Sequence, residues 1–222
     1  MLIIAAVAWI ALHIGLAGTR LRDVVVRRIG EGRFRGAFAA SSIAILVWLS
    51  LSYNAAATTP LWRAAPWLLG LLALAMLPAC VLLVGSVTTP NPTAIGGEGT
   101  AIQPSGIQRV TRHPMLWSFA IWAAVHIIGN GDTASLVFFG AFLITALAGM
   151  PSIDAKLARR DPAVWSPVAV GTGIVPFAAI VQGRNRLVWN EIGWWRLGLG
   201  LLVWGLLLYL HPIIIGVSPV PH

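Results

Sequence analysis

The apolar residues of this chain come in long, almost uncharged blocks, and this pattern leaves few folds open to it. Hydrophobic residues make up 58% of the 222 residues and charged residues 10%, against roughly 25% charged in soluble domains. Each block is close to the roughly 20 helical residues that cross the hydrocarbon core of a bilayer. Apolar and polar residues do not alternate within the blocks as they do in the strands of a membrane barrel. The blocks must therefore be helices, which satisfy their backbone hydrogen bonds internally.

The blocks predict an all-α, polytopic transmembrane helical bundle that forms a single membrane domain. We place six spans at about residues 1–18, 36–53, 66–87, 114–129, 133–151 and 194–215, with cytoplasmic loops at about 19–35, 88–113 and 152–193. No basic segment precedes the first block, so we expect a retained span rather than a signal peptide. The apolar stretch Val164 to Val181 contains Pro167 and Pro176, which favour a segment lying in the interface or folded back on the bundle.

The basic residues predict how the bundle is oriented. Of the 15 Lys and Arg residues, all but Arg63 fall in the three cytoplasmic loops or at their edges. By the positive-inside rule, both termini then lie on the outer side of the membrane, which we expect to be a bacterial inner membrane. The net charge of +8 indicates contact with anionic membrane lipids rather than with nucleic acid.

Ionisable residues inside a span are functional candidates by default. His13, His126 and His211 fall within predicted spans, and His113 opens one. At 1.5 Å per residue, His126 and His211 lie about 21 and 22 Å from the cytoplasmic boundary, whereas His13 lies only about 10 Å from it. Each histidine also has a structural interpretation, as a side chain bonded to a neighbouring carbonyl or packed in the core.

The surroundings of His126 favour a flat apolar cofactor. Trp122 precedes His126 by one helical turn, so the two rings could form the wall of a pocket in which histidine is an axial ligand. The seven carboxylates fall in loops or at span ends, which makes a carboxylate-bridged metal centre unexpected. Imidazoles without carboxylates or thiolates suit haem iron or copper, and a bundle rich in Trp and Leu favours haem.

A second candidate site precedes the fourth span. Pro114 is suited to the first turn of a helix, and Arg109 and Arg112 could reach the interface or bind a carboxylate, propionate or phosphate. The glycine run at residues 96–99 is a weak phosphate signal because no Gly-Lys-Ser/Thr follows it. We interpret that run as a turn.

The sequence Gly-Ile-Gln-Arg-Val-Thr-Arg-His-Pro-Met-Leu-Trp at 106–117, with Trp-Ala-Ala-Val-His at 122–126, closely resembles the NnrU family. That family is similar in turn to plant and cyanobacterial zeta-carotene isomerase. The resemblance continues through residues 13–20, 29–36, 175–180 and 210–212. It therefore covers nearly the whole chain in order.

The resemblance implies haem b, with its iron held axially by two histidines that match His13 and His126. Because the helical rise places His211 at a depth similar to that of His126, we keep His211 as a substitute ligand. The implied activity is cis–trans isomerisation of a polyene double bond. The association of NnrU with denitrification implies nitric oxide as another ligand, and an electron donor is an expected partner. Ala123 stands where the plant isomerases carry a cysteine, so replacement of an axial ligand by that thiolate is not expected. Oligomeric state stays open.

Two other functions are consistent with the sequence. The Arg-His-Pro motif also resembles S-adenosylmethionine-dependent isoprenylcysteine and phospholipid methyltransferases, and in that case Arg109, Arg112 and His113 would bind the cofactor at the cytoplasmic face. Met115 or Leu116 stands where those enzymes have a tyrosine, and their later acidic residues have no clear match. A non-catalytic accessory protein of denitrification is the other alternative.

Overall fold

The structure is a computed structural model that describes residues 1–91, 93 and 103–220. Over these residues the chain is helical and contains no β-strand, which confirms the all-α class. The elements are α1 (Leu2–Ile10), a π-helical turn (Ala11–Leu16), α2 (Arg20–Ile29), α3 (Glu31–Asn54), α4 (Pro66–Thr88), a 3₁₀ turn (Gly106–Arg109), α5 (Pro114–Asn130), α6 (Thr133–Arg160), α7 (Pro162–Gly171), α8 (Ala178–Val181), α9 (Trp189–Ile192) and α10 (Trp194–Ile214). The glycine run at residues 96–99 lies outside the described part.

Four helices, α3, α4, α6 and α10, are long and apolar enough to cross a membrane. The segments Leu2–Leu16 and Arg20–Ile29 would add a fifth crossing if they formed one span, but they are bent by 78°. Helix α5 has 17 residues, at the lower limit of about 17–25 residues for a span. The structure thus suits a membrane protein, while six spans and outward termini stay predictions.

The bend between the first two helices is followed by a new helix start at Thr19. Its hydroxyl accepts a hydrogen bond from the backbone N–H of Leu21 at 3.2 Å, which caps α2. Arg22 of α2 is buried, donates to the Glu31 carboxylate at 2.5 Å and lies over the ring of Phe34 at 5.0 Å. Helix α2 is therefore tied to the start of α3 by a charged contact.

Two helices extend into segments that the sequence predicts to be loops. Helix α6 continues past Pro151 to Arg160, so residues 152–160 are helical. Helix α2 and the first turn of α3 likewise occupy most of residues 19–35. The extension of α6 matters for the site because it places Asp154 on the helix.

The main core lies between α1, α3, α5 and α6. Small residues occupy its centre, where Ala5 of α1 and Ala123 of α5 are fully buried together with Leu49 of α3. Phe138 and Phe139 of α6 belong to the same cluster. Small side chains let membrane helices approach closely, which favours dispersion contacts between them.

Helix α10 packs against α4 through a close approach at Gly200. A Cβ atom at this position would lie 2.7 Å from Cγ2 of Val81 and 2.9 Å from its Cα. Trp204 strengthens the pairing by donating its indole N–H to the carbonyl of Ala73 at 2.7 Å. Since α4 also packs on α5, this contact fixes α10 close to α5.

The segment after α7 folds back on the bundle, which is one of the two arrangements predicted for residues 164–181. The backbone N–H of Phe177 donates to the carbonyl of Val110 at 2.8 Å, and that of Arg112 donates to Gly173 at 3.1 Å. The indole of Trp117 on α5 donates to the carbonyl of Ile174 at 2.8 Å. These bonds cover the start of α5 with the returning segment.

Replacing Gly200 by Val is expected to push α10 away from α4, because the added side chain has no space against Val81. Overpacking of this kind costs roughly 1–3 kcal/mol, so G200V should unfold at a lower temperature than the wild type when circular dichroism is followed in detergent. Gly198, on the same helix, has open space around its Cβ position. G198V is therefore the matched control, and equal stability of the two variants would contradict the proposed close contact.

Candidate functional site

His126 on α5 is surrounded by rings and has a defined proton position. Its ring centroid lies 4.7 Å from that of Phe139 and 5.3 Å from that of Trp122. Its Nδ1 lies 2.7 Å from the carbonyl oxygen of Trp122. Because a carbonyl can only accept, Nδ1 must carry the proton and donate it. In the neutral ring Nε2 then carries the lone pair, and no described residue bonds to it.

The ring of His211 on α10 lies beside that of His126. The two ring centroids are 6.4 Å apart and the ring planes differ by 27°. The chain turns back after α10 at Gly216, whose φ of +82° favours glycine. This turn brings the carbonyl of Val217 to 2.6 Å from Nδ1 of His211. In its neutral form His211 therefore has the same tautomer as neutral His126, with the lone pair on Nε2.

Both imidazoles line one cavity of about 280 Å³ between α4, α5 and α10. Its walls are mostly apolar, and the lone cysteine of the chain is among them. The lining side chains include Met76, Cys80, Trp122, His126, Trp204 and His211. No Asp, Glu, Lys or Arg of the described part of the chain lines it. The cavity therefore offers two imidazole rings among described side chains that carry no charge.

His13 occupies a different position, on the π-helical turn. Its Nδ1 donates to the carbonyl of Trp9 at 2.9 Å, so the neutral ring carries its lone pair on Nε2. Its ring lies 4.0 Å from that of Trp9 and 5.2 Å from that of Phe38. Short π-helical segments occur frequently at functional sites, which supports a role for this residue.

Aromatic rings separate His13 from His126. The ring of Trp9 lies 4.9 Å from Phe142, and Phe142 lies 5.3 Å from Trp122, which contacts His126. Within the described residues no direct ring contact joins the two histidines. The structure thus places His126 beside His211 and connects it to His13 through three other rings.

A group of charged residues, which we call the charged junction, lies at the start of α5. It is formed by Arg109, Arg112, His113, Asp154 and Glu191. The Asp154 carboxylate accepts two hydrogen bonds from Arg112, at 2.5 and 2.9 Å, and lies 2.8 Å from Nε2 of His113. Arg112 also donates to the carbonyl of Thr172 at 3.0 Å. His113 is almost fully buried. One carboxylate therefore connects α6, the start of α5 and the segment that follows α7.

Arg109 forms the second half of this junction. It donates to both oxygens of Glu191, at 2.7 and 2.8 Å, and to the side-chain oxygen of Asn185 at 2.7 Å. The hydrogen bond from Arg109 holds the pKa of the Glu191 carboxyl below its usual value. The same bond raises the pKa of Arg109, so the pair is fully charged at neutral pH.

The charged junction bears on the anion site predicted at Arg109, Arg112 and His113. Both guanidinium groups already bind carboxylates, so an anionic cofactor would have to displace Asp154 or Glu191. A cofactor role for these three residues stays a prediction. Sequence reasoning missed both acidic partners because ion pairs between distant segments leave no local pattern. One signal in the sequence could have indicated them. Two arginines at the end of a membrane helix need carboxylates close by to balance their charge.

The histidines do not form a conventional site for a bare metal ion. Among the described residues, no group of three or more His, Cys, Asp and Glu side chains is placed to hold one. A metal that brings its own equatorial ligands needs only one or two side chains from the protein. A haem at His126 stays a prediction.

Comparison with known proteins gives a match over almost the whole chain. The family model described as "NnrU protein" matches residues 1–219. The chloroplastic 15-cis-zeta-carotene isomerase of Arabidopsis thaliana is 28% identical over 189 residues, which cover 79% of this chain and 48% of the relative. The same enzyme of Zea mays is 23% identical over 196 residues, covering 84% and 52%. The chain thus spans about half the length of these curated relatives, and no solved structure matches it.

Replacing Asp154 by Ala should destabilise the protein strongly, because Arg112 and His113 would be left buried without their carboxylate. Removing one partner of a buried ion pair costs roughly 3–5 kcal/mol. Asp23, which lies 3.4 Å from Arg160 and is about one-third exposed, provides the control. D23A should cost less than about 1 kcal/mol. Similar unfolding temperatures for D154A and D23A in detergent would contradict a structural role for Asp154.

The pair of Arg109 and Glu191 should make stability depend on pH in the acidic range. Because the folded state lowers the pKa of Glu191, its contribution is complete above the unfolded pKa of roughly 4.3. That contribution disappears as the pH falls through the lower, folded pKa. The wild type should therefore lose more stability than E191Q between about pH 5 and pH 3. Parallel pH profiles of the unfolding temperature would disprove this linkage.

Proposed function

The chain belongs to the NnrU family, and from this premise we propose that it is a membrane protein that binds haem b and isomerises a polyene between cis and trans forms. The observation that carries the proposal is the uncharged cavity in which His126 presents an unprotonated Nε2. Both curated relatives named above are 15-cis-zeta-carotene isomerases, and that activity is the one we extend to this chain.

The side chains around His126 fit a haem by their chemistry. Its Nδ1 donates to the carbonyl of Trp122, which orients the ring and leaves Nε2 as the metal-binding nitrogen. Trp122 and Phe139 provide flat apolar surfaces beside it. In our proposal His126 would hold the haem, and the resemblance implies His13 as a second residue that would hold it. Bound haem would supply a redox-active iron able to interact with a double bond or a gas.

The described residues of the cavity suit a reaction without net proton transfer. Rotation about a double bond moves no atom between molecules, and substrate and product contain the same number of electrons. Such a reaction requires no general acid or base, and no carboxylate of the described chain lines the cavity. Side chains such as Met76 and Trp204 would hold the apolar substrate and exclude water.

Nitric oxide is a second candidate ligand for the same position. A cavity of about 280 Å³ lies at the lower limit of ligand pockets, which span about 300–1,000 Å³. This volume favours a small ligand over an extended polyene unless α10 moves. In that case the protein would sense, carry or respond to the gas rather than isomerise a polyene. The S-adenosylmethionine alternative receives no comparable support, because Arg109 and Arg112 are engaged by carboxylates.

The proposed setting is a bacterial inner membrane that the chain crosses six times, with both termini outside. The charges on α2, including Arg20, Arg27 and Arg28, would then lie at the cytoplasmic surface among anionic lipid head groups. An electron donor that reduces the iron is a further proposed partner. A cysteine accessibility map from each side of the membrane would test the orientation.

An absorption spectrum of the detergent-purified protein tests haem binding. Protein expressed with ample haem should show b-type bands that sharpen on reduction with dithionite, and H126A should lose them. H222A is the control because it removes the same side chain at the end of the chain. A colourless wild-type protein under these conditions would rule out the proposal.

Ligand titrations then separate the two candidate functions. Under reducing conditions, a 15-cis polyene in detergent micelles should be converted to the trans isomer by the wild type and not by H126A, as measured by chromatography. Nitric oxide should shift the spectrum of the reduced protein in either case. Gas binding without any polyene conversion would favour the gas-linked function.

A further inference from the structure

We infer that the substrate of this protein is a polyene with a hydroxyl group at its end rather than a hydrocarbon polyene. This inference rests on the proposed function and names the substrate class more narrowly. It follows from the uneven distribution of polar atoms in the cavity between α4, α5 and α10. The two ends of the cavity are lined by different kinds of side chain, so they suit the two parts of such a molecule.

The polar end of the cavity lies where α5 and α10 finish. Asn130 is the last residue of α5, and His211 lies in the last turn of α10. The apolar end is lined by Met76 of α4 and by Trp204, which lies about 10 Å before His211 along α10 at 1.5 Å per residue. His126 lies one turn before Asn130 and therefore between the two ends. Polar and apolar groups are thus arranged in order along the cavity.

The bonds around Ser135 fix the orientation of the Asn130 amide. Ser135 is fully buried and donates its hydroxyl hydrogen to the Asp132 carboxylate at 2.7 Å. Its oxygen must then accept the other two bonds, from the Tyr53 hydroxyl at 2.8 Å and from Nδ2 of Asn130 at 2.9 Å. The amide of Asn130 keeps its carbonyl oxygen and one N–H for a ligand, because no described residue bonds to either. Asn130 also lines the cavity.

His211 provides the acceptor that faces this amide across the polar end. Its Nδ1 donates to the carbonyl of Val217, so the neutral ring carries its lone pair on Nε2, to which no described residue bonds. The indole of Trp204 already donates to the carbonyl of Ala73. A ligand at the polar end therefore meets an acceptor on His211 and an amide on Asn130.

A terminal hydroxyl satisfies both groups, whereas a hydrocarbon satisfies neither. The hydroxyl would donate its hydrogen to Nε2 of His211 and accept the free N–H of Asn130. A hydrocarbon would displace water from these atoms and leave them unpaired, which weakens binding. Sites that pair a substrate hydroxyl discriminate strongly against an analogue that lacks it.

The size of the cavity agrees with this assignment. Its volume of about 280 Å³ suits the hydroxyl-bearing end of a polyene better than a whole extended molecule. With the hydroxyl held by His211 and Asn130, the conjugated chain would run past His126, about 6 Å further along α5. The anchored end would thus set which double bond lies beside His126.

Binding of retinol and of retinyl methyl ether tests the inference, because the two probes share one polyene and only retinol has a hydroxyl hydrogen to donate. Isothermal titration calorimetry of the full-length protein in detergent gives both affinities. The wild type should bind retinol roughly 10-fold or more tightly than the ether. H211F keeps a flat ring but removes the acceptor, so its ratio of the two affinities should fall close to one.

Asn130 is tested in the same way. N130L should weaken both probes, because each has an oxygen that can accept the amide N–H. Asn54 ends α3 and does not line the cavity, so N54L is the matched control and should keep both wild-type affinities. Equal affinities of N130L and N54L for both probes would contradict the role of Asn130.

The wild-type ratio keeps the inference open to refutation even if a variant fails to fold. A wild-type ratio near one, or an unchanged ratio in folded H211F, would overturn the inference. Conversion of a 15-cis hydrocarbon polyene by a protein with no hydroxyl preference would leave the proposed function intact. A colourless wild-type protein would instead refute the proposed function. The two failures are therefore seen in different experiments, since the calorimetric ratio does not depend on haem.

Discussion

The carboxylate of Asp154 is the interaction on which the geometry of the site depends. It binds Arg112 and His113, the two residues directly before α5, and Arg112 in turn holds the segment that returns after α7. The start of α5 is thereby fixed against α6. Because a helix is rigid over a few turns, a fixed start also fixes the depth and direction of His126 further along it. A charge pair near one end of the bundle thus positions an uncharged site deeper in it.

The polar groups of the chain fall into two separate classes. At the charged junction, full charges are paired with carboxylates at short distance, which compensates for their removal from water. Around the cavity, neutral imidazoles use one nitrogen for a main-chain carbonyl and keep the other available. The first arrangement contributes stability and has little capacity left for a ligand. The arrangement around the cavity contributes little stability. It leaves one nitrogen of each imidazole available, and a metal centre requires such a nitrogen.

Much of this organisation could be predicted from the sequence. Apolar blocks predicted the helices, prolines in residues 164–181 predicted the folded-back segment, and helical rise placed His126 and His211 at similar depth. Depth along the membrane normal does not determine which helices are neighbours, however. That depends on contacts such as Gly200 against Val81, which follow from the three-dimensional packing of distant segments. The same reason hid Asp154, because its partners are about 40 positions away in the chain.

The π-helical turn at Ala11–Leu16 has a consequence for how this chain can vary in evolution. Such a turn contains one residue more than the α-helical turn that it replaces. Insertion of a single residue into a regular helix would produce it. Deleting one residue within it would restore a regular helix and rotate the preceding part by about 100°. Trp9 and the buried face of α1 would then leave their places against α6. The aromatic surroundings of His13 are thus tied to one extra residue, so the length of this segment is constrained more tightly than its composition.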